Sequence, residues 1–187
     1  MKVLVLAVAL LLLMPVKIQF GNAKTNASAY DEKLVAFEES LFTARKKSIE
    51  CMALNIYHEA RSLSTAGRLA VAQVTLNRVN SKKYPNTICE VVYQGKHWIA
   101  KDGTKYPRKN LCQFSWYCDG RNDKPNNKRM YDESIELATQ VVDGKWPMDI
   151  TDGAMYYYAD YIDPPRWTKG KIRAATIDVH RFYRYKR

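Results

Sequence analysis

Hydrophobic positions from Ile49 onward follow a helical repeat. Ile49, Met52, Ala53, Ile56, Tyr57 and Ala60 fall at i, i+3, i+4, i+7, i+8 and i+11, which puts them on one face and predicts an amphipathic helix. The repeat stops at Ser62-Leu63-Ser64-Thr65, where Ser64 or Thr65 can accept a hydrogen bond from the free amides that open a following helix. That second helix, from about Ala66 to Val79, carries Leu69, Ala70, Val71, Ala72, Val74, Leu76 and Val79 around most of its circumference, the pattern of a buried central helix. A third begins near Asn86-Thr87 with Ile88, Val91 and Val92. A fourth runs from about Arg129 to Val142, with Ile135, Ala138, Val141 and Val142 inward and Gly144 as its C-terminal cap.

Between the third and fourth helices, a region rich in Gly, Lys and aromatic residues predicts a small irregular sheet or hairpin, with a turn at Asp119-Gly120. Tyr156 to Tyr158 and Ile172 to Tyr185 alternate and are partly β-branched, so they predict strands late in the chain. The expected class is α+β, mainly helical. Residues 24 to 48 are polar, with Leu34, Phe37 and Leu41 at helical spacing, and predict a lead-in helix or linker before a single domain over residues 49 to 187.

At the N-terminus, Met1-Lys2 precedes an uncharged apolar run from Val3 to Val16 and the small residues Gly21-Asn22-Ala23, the order of a secretory signal peptide cleaved after Ala23. The run is shorter than the roughly 20 residues a spanning helix needs. If the segment were retained, it would be a membrane anchor, and the membrane would be touched only there. Either way the rest of the chain is exported. Lys and Arg number 30 against 19 acids, a formal charge of +11, and losing Lys2 and Lys17 with the leader leaves +9. Such a surplus predicts attraction to a polyanion outside the cytosol. No reading helix or RNA-binding motif accompanies it, so nucleic acid is not an expected partner.

Four cysteines, Cys51, Cys89, Cys112 and Cys118, lie in the exported part and predict two disulfides with three possible connectivities. The favoured pairs are Cys112 with Cys118, closing a short loop, and Cys51 with Cys89, tying the first core helix to a later one. Zinc is disfavoured, because Cys112-x5-Cys118 lacks close CxxC spacing and has no His nearby in sequence. No cofactor or metal is expected, and a monomer is.

Glu59 sits at the end of the first core helix beside an apolar face. By periodicity alone it reads as a solvated acid paired with Arg61 or Lys47. In apolar surroundings, however, its ionised form would be disfavoured, and it could hold a proton to give to a leaving glycosidic oxygen.

The segments CMALNIYHEAR (51–61), AGRLAVAQVTLNRV, YPNTICEVVYQ and CQFSWYCDG, followed by GAMYYYADYIDPPRW and HRFYR, resemble the cell-wall hydrolase family of bacterial spore cortex-lytic enzymes over about residues 50 to 184. The resemblance implies a lysozyme-like fold, peptidoglycan glycan strands as substrate and Glu59, of Tyr-x-Glu-Ala-Arg, as the catalytic acid. It places Gln113, Phe114 and Ser115 along the cleft opposite the Glu helix. Gln and Ser can bond sugar hydroxyls or acetamido groups, while Trp116, Tyr157 and Tyr158 can stack on the apolar faces of sugars. His180 belongs to the terminal motif and is either a further substrate contact or a core hydrogen-bonding group. Two departures stand out: Ser62-Leu63 where the family has Gly-Glu, and Tyr158 where it has His.

Glycosidases commonly use two carboxylates, and these motifs offer one. A single acid suffices if the substrate's own muramyl 6-hydroxyl attacks the anomeric carbon after Glu59 protonates the leaving oxygen, giving a 1,6-anhydro sugar. That is a lytic transglycosylase. Plain hydrolysis, with Asp119 or another acid positioning water, is the rival. A zinc amidase cutting between muramic acid and the stem peptide would have only His58, His97, His180 and Glu59 as ligands. Adjacent His58 and Glu59 diverge by about 100 degrees on a helix, and no HExxH exists. A non-catalytic wall-binding protein using its basic surface and tyrosines is the remaining alternative.

Overall fold

The computed structural model describes residues 21 to 186, with side chains from residue 30 onward. The signal-peptide segment lies almost wholly outside the described residues. The chain divides into two compact units, residues 1 to 41 and 42 to 187. In the first, the helical stretch begins at Gly21, and Leu34, Phe37 and Leu41, the apolar positions of the lead-in segment, are exposed. Among the described residues no helix is long and apolar enough to cross a membrane.

Helix α1 is assigned continuously over Gly21–Ala60, so the lead-in and the first core helix form one element, not two. All six residues of the Ile49 to Ala60 stripe are buried. Helix α2 (Thr65–Val79) starts where expected: the Ser64 hydroxyl accepts from the Gly67 amide at 3.2 Å. Asp178 in turn accepts from the Ser64 amide (3.0 Å) and hydroxyl (2.8 Å), pinning a distant turn to this helix end. Gly67 makes room for it, because a Cβ there would lie 2.2 Å from Asp178 Oδ2.

Helix α3 (Ile88–Val92), capped by Thr87, and helix α4 (Lys128–Val142), capped by Asn127, pack with α1 and α2 around Met52, Ile56, Ala72, Val91 and Leu137. The expected hairpin is strand β1 (Gly95–Ile99) paired antiparallel with β2 (Lys105–Cys112), followed by a 3-10 turn at Ser115–Cys118.

The late strands are β3 (Tyr156–Ala159), β4 (Ile172–Ile177) and β5 (His180–Arg184), in the antiparallel order β3-β5-β4. The run from Ile172 to Tyr185 is therefore two strands, broken where Asp178 adopts φ 47°. Phe182, Ala154, Ala70 and Val74 form a second small core between this sheet and α2.

Disulfides join Cys51 to Cys89 and Cys112 to Cys118. The first ties α1 to α3. The second holds the foot of the hairpin to the 3-10 turn.

Candidate active site

Glu59 occupies the last turn of α1 and faces a cleft of about 700 Å3. Its neighbours in sequence hold the cleft's far wall. The Tyr57 hydroxyl donates to Asn126 Oδ1 at 2.8 Å and accepts from the Asn126 and Asn127 amides at 3.2 and 3.1 Å. His58 Nε2 donates to the Asp123 carbonyl at 2.9 Å, which fixes the proton on that nitrogen. Two consecutive helical residues thus fasten the loop that carries Asp119 to Asn126 alongside the acid.

Behind the cleft, α2 anchors the segment that leads into it. Gln73 donates to the Met148 carbonyl (2.6 Å) and accepts from the Ile150 amide (2.9 Å), while Asn77 donates to Asp149 Oδ2 (2.9 Å) and to the Ala154 carbonyl (3.0 Å). The segment so held leads directly into β3. There the Tyr157 hydroxyl donates to Glu59 Oε2 at 2.8 Å.

Burial around the Glu59 carboxyl is the largest influence on it and holds its pKa above the usual 4.5, with the Tyr157 hydrogen bond and the nearby Arg78 charge pulling weakly the other way. Burial, then the charge of Glu59 and this hydrogen bond, push the Tyr157 phenol well above its ordinary value, so it remains a donor. Burial thus favours the protonated form of a half-buried acid, and with one oxygen occupied by Tyr157 its other oxygen, Oε1, is the one to carry a proton.

Gln113, Phe114, Ser115, Trp116, Tyr157, Tyr158 and His180 all line this cleft. They divide into two groups. Gln113 and Ser115 are exposed and available to a ligand. Phe114 and Trp116 alternate with them and are buried, forming the floor. The Trp116 indole donates to Asn55 Oδ1 at 3.0 Å, and its ring lies against His58 at 4.5 Å and 16°, so a ring expected to stack on sugar already stacks on a histidine. Tyr158 is largely buried beside Tyr183 and Trp167, and His180 packs against Tyr157 at 4.9 Å. Burial lowers the His180 pKa and keeps it neutral near pH 7.

Arg78 is the residue that sequence reasoning missed. It is buried at the end of α2 and lines the cleft. Its Nε donates to the Met155 carbonyl at 2.9 Å, and its guanidinium lies over the rings of Phe114 (4.8 Å) and Tyr84 (5.4 Å). The available signal was a charge at the end of a helix whose central residues, Leu69 to Thr75, are all buried.

The possible zinc ligands do not converge. His58 and His180 reach the cleft with Glu59, but His97 lies on exposed β1 and is not part of it. Among the described residues no group of three or more His, Cys, Asp or Glu side chains could hold a metal ion.

A sequence profile of the Cell Wall Hydrolase family matches residues 63 to 183. Spore cortex-lytic enzymes are similar: that of Bacillus cereus is 38% identical over 103 residues, covering 54% of this chain and 38% of the relative. That of Oceanobacillus iheyensis is 38% identical over 138 residues, covering 73% and 41%. The chain therefore spans about two fifths of the length of these curated relatives. Among solved structures, the catalytic domain of the Bacillus cereus SleB protein superposes with a TM-score of 0.53 at 27% identity, covering 74% of this chain and 91% of that one. The catalytic domain of the germination-specific lytic transglycosylase SleB from Bacillus anthracis gives the same score and identity, covering 73% and 93%. The fold is the mainly helical, lysozyme-like α+β class that the sequence predicts. The profile match begins after Glu59, so a role for Glu59 rests on the cleft.

Proposed function

Because the chain belongs to the Cell Wall Hydrolase family, we propose that it degrades peptidoglycan by cleaving the MurNAc–GlcNAc bond of the glycan strand as a lytic transglycosylase. The carrying observation is Glu59, half-buried in its cleft and bonded through one oxygen to Tyr157. The names of the similar SleB domain and cortex-lytic enzymes point to the same chemistry.

In this mechanism Glu59 gives the proton on Oε1 to the glycosidic oxygen as the bond to the anomeric carbon breaks. The muramyl 6-hydroxyl attacks that carbon, and the Glu59 carboxylate takes up the hydroxyl proton. The acid is regenerated, no water is consumed, and the product ends in 1,6-anhydro-muramic acid. Gln113 and Ser115 bond the substrate's hydroxyl or acetamido groups. Arg78 and Tyr157 are positioning residues, which limit how far burial raises the Glu59 pKa. An exported site of action on the cell wall fits the apolar N-terminal segment and the two disulfides.

Asp119 and Asp123 also line the cleft, and burial raises the Asp123 pKa, so hydrolysis with a water held by one of them is the second reading. Product mass separates the two. Purified peptidoglycan incubated with the protein should release anhydro-muropeptides, and Glu59→Gln should release none. Reducing ends would indicate hydrolysis. Freed stem peptides, or full activity in Glu59→Gln, would remove the assignment and favour an amidase.

A further inference from the structure

The β1–β2 hairpin exposes side chains that a folded core would normally cover. Trp98 and Ile99 are 52% and 66% exposed, and Tyr106 and Leu111 are 44% and 46%. Trp98 and Tyr106 are cross-strand partners whose rings stack at 4.5 Å and 16°, giving a flat aromatic pair held open to solvent. Around it stand Lys96, Lys101, Lys105, Arg108 and Lys109, all exposed, and none is ion-paired with a described residue. The hairpin's one acid, Asp102, accepts from the Thr104 amide at 2.9 Å and is occupied by its own turn.

At the hairpin's foot lies a second groove of about 550 Å3, lined by Lys47, Glu90, Tyr93, Gln94, His97 and Tyr117 among others, with Glu90 accepting from the Thr87 hydroxyl at 2.7 Å. Gln94 Oε1 is buried there without a hydrogen-bond partner. The groove and the Glu59 cleft lie on either side of the 3-10 turn: Trp116 lines the cleft and Tyr117 lines the groove. Two connections make this foot rigid. The Gln113 amide donates to the Gln94 carbonyl at 2.8 Å, and the Cys112–Cys118 disulfide joins β2 to the turn.

We infer that the hairpin and the groove at its foot form a second, non-catalytic binding surface for a carboxylate-bearing glycan, holding the peptidoglycan strand outside the Glu59 cleft. The chemistry matches on both counts. Sugar rings present apolar faces to the aromatic pair, which offers a large contact area at low entropic cost. Stem-peptide carboxylates suit the unpaired Lys and Arg side chains. An anionic lipid surface fits less well, because a hairpin that inserts would carry its apolar groups at the tip, and this tip is Lys101-Asp102-Gly103-Thr104. The inference rests on peptidoglycan being the substrate, but the surface acts by binding alone.

The test uses the full chain carrying Glu59→Gln, so that the wall stays intact. Sedimentation with insoluble peptidoglycan stripped of attached polymers is compared with and without Trp98→Ala/Tyr106→Ala, and separately with Arg108→Glu/Lys109→Glu. Parallel assays use vesicles of equal parts phosphatidylcholine and phosphatidylglycerol. Each hairpin variant should weaken peptidoglycan binding about tenfold, the size of one or two lost anchoring side chains. In the Glu59 background the same variants should raise KM on insoluble wall and leave turnover of short soluble glycan chains unchanged. Unchanged sedimentation overturns the inference. So does equal loss on short and insoluble substrates, or loss of vesicle binding with wall binding retained. If the protein binds through the hairpin yet releases no glycan product, the catalytic reading fails and this surface stands.

Discussion

At the scale of single residues, the Glu59–Tyr157 contact makes the sharpest prediction. The Tyr157 hydroxyl donates to Glu59 Oε2 and so favours the carboxylate, working against the burial that raises the Glu59 pKa. Tyr157→Phe removes that donor and leaves the burial, so the Glu59 pKa should rise further. A reaction that needs protonated Glu59 loses rate as pH climbs through that pKa. The alkaline limb of kcat/KM on a soluble glycan should therefore move to higher pH in Tyr157→Phe. An unmoved limb would show that another group sets it, and a downward move would reverse the assigned sign. Glu59 was legible as a candidate because a motif singled it out, and its bland alternative, a solvated acid paired with Arg61 or Lys47, is answered by the bond to Tyr157. Tyr157 itself was read as a sugar-stacking ring. Its role against the acid depends on a contact across 98 residues of sequence, which no local pattern encodes.

Among elements, helices were the most legible, because burial of one face writes a repeat into the sequence that needs no knowledge of the partner. Ser64, Thr87 and Asn127 cap their helices with side-chain oxygens, so three starts fall within a residue or two of those expected. The split between β4 and β5 was not legible, since Asp178 turns the chain within a run of strand-forming residues while bonded to Ser64, 114 positions away. The two disulfides belong to this scale and should fail differently. Cys51–Cys89 closes a 38-residue separation between core helices, and in the chain-entropy account its loss costs about 4 kcal/mol. Cys112–Cys118 closes 6 residues, and the same account gives about 2 kcal/mol, but its loop carries Gln113 and Ser115 on the cleft wall. Replacing the first pair by Ser should lower the denaturation midpoint most and leave KM close to the parent value. Replacing the second should cost less stability and raise KM more. Chemical denaturation and steady-state kinetics on the same preparations decide it, and equal profiles for the two variants would contradict the division between core tie and wall tie.

For the whole molecule, the relevant property is a formal charge of +11 beside Glu59, the proposed acid, half-buried in its cleft. These two features differ in how they respond to salt. Attraction between exposed cations and wall carboxylates acts across solvent and is screened, with a Debye length of about 10 Å at 0.1 M and about 3 Å at 1 M. Proton transfer from Glu59 acts over one bond length inside the cleft and is nearly immune. Raising salt from about 0.1 M to about 1 M should therefore raise KM on insoluble peptidoglycan severalfold with little change in kcat. A fall in kcat at constant KM would place the salt-sensitive charge at the reacting centre instead. The hairpin then supplies an internal control, because its two components separate. Trp98→Ala/Tyr106→Ala removes aromatic contact and keeps every cation, so it should weaken binding at all salt concentrations and preserve the slope. Arg108→Glu/Lys109→Glu changes the charge and keeps the rings, so it should flatten the slope. If both variants gave the same slope, the wall would be held by diffuse positive charge alone, and the exposed aromatic pair would need a different explanation.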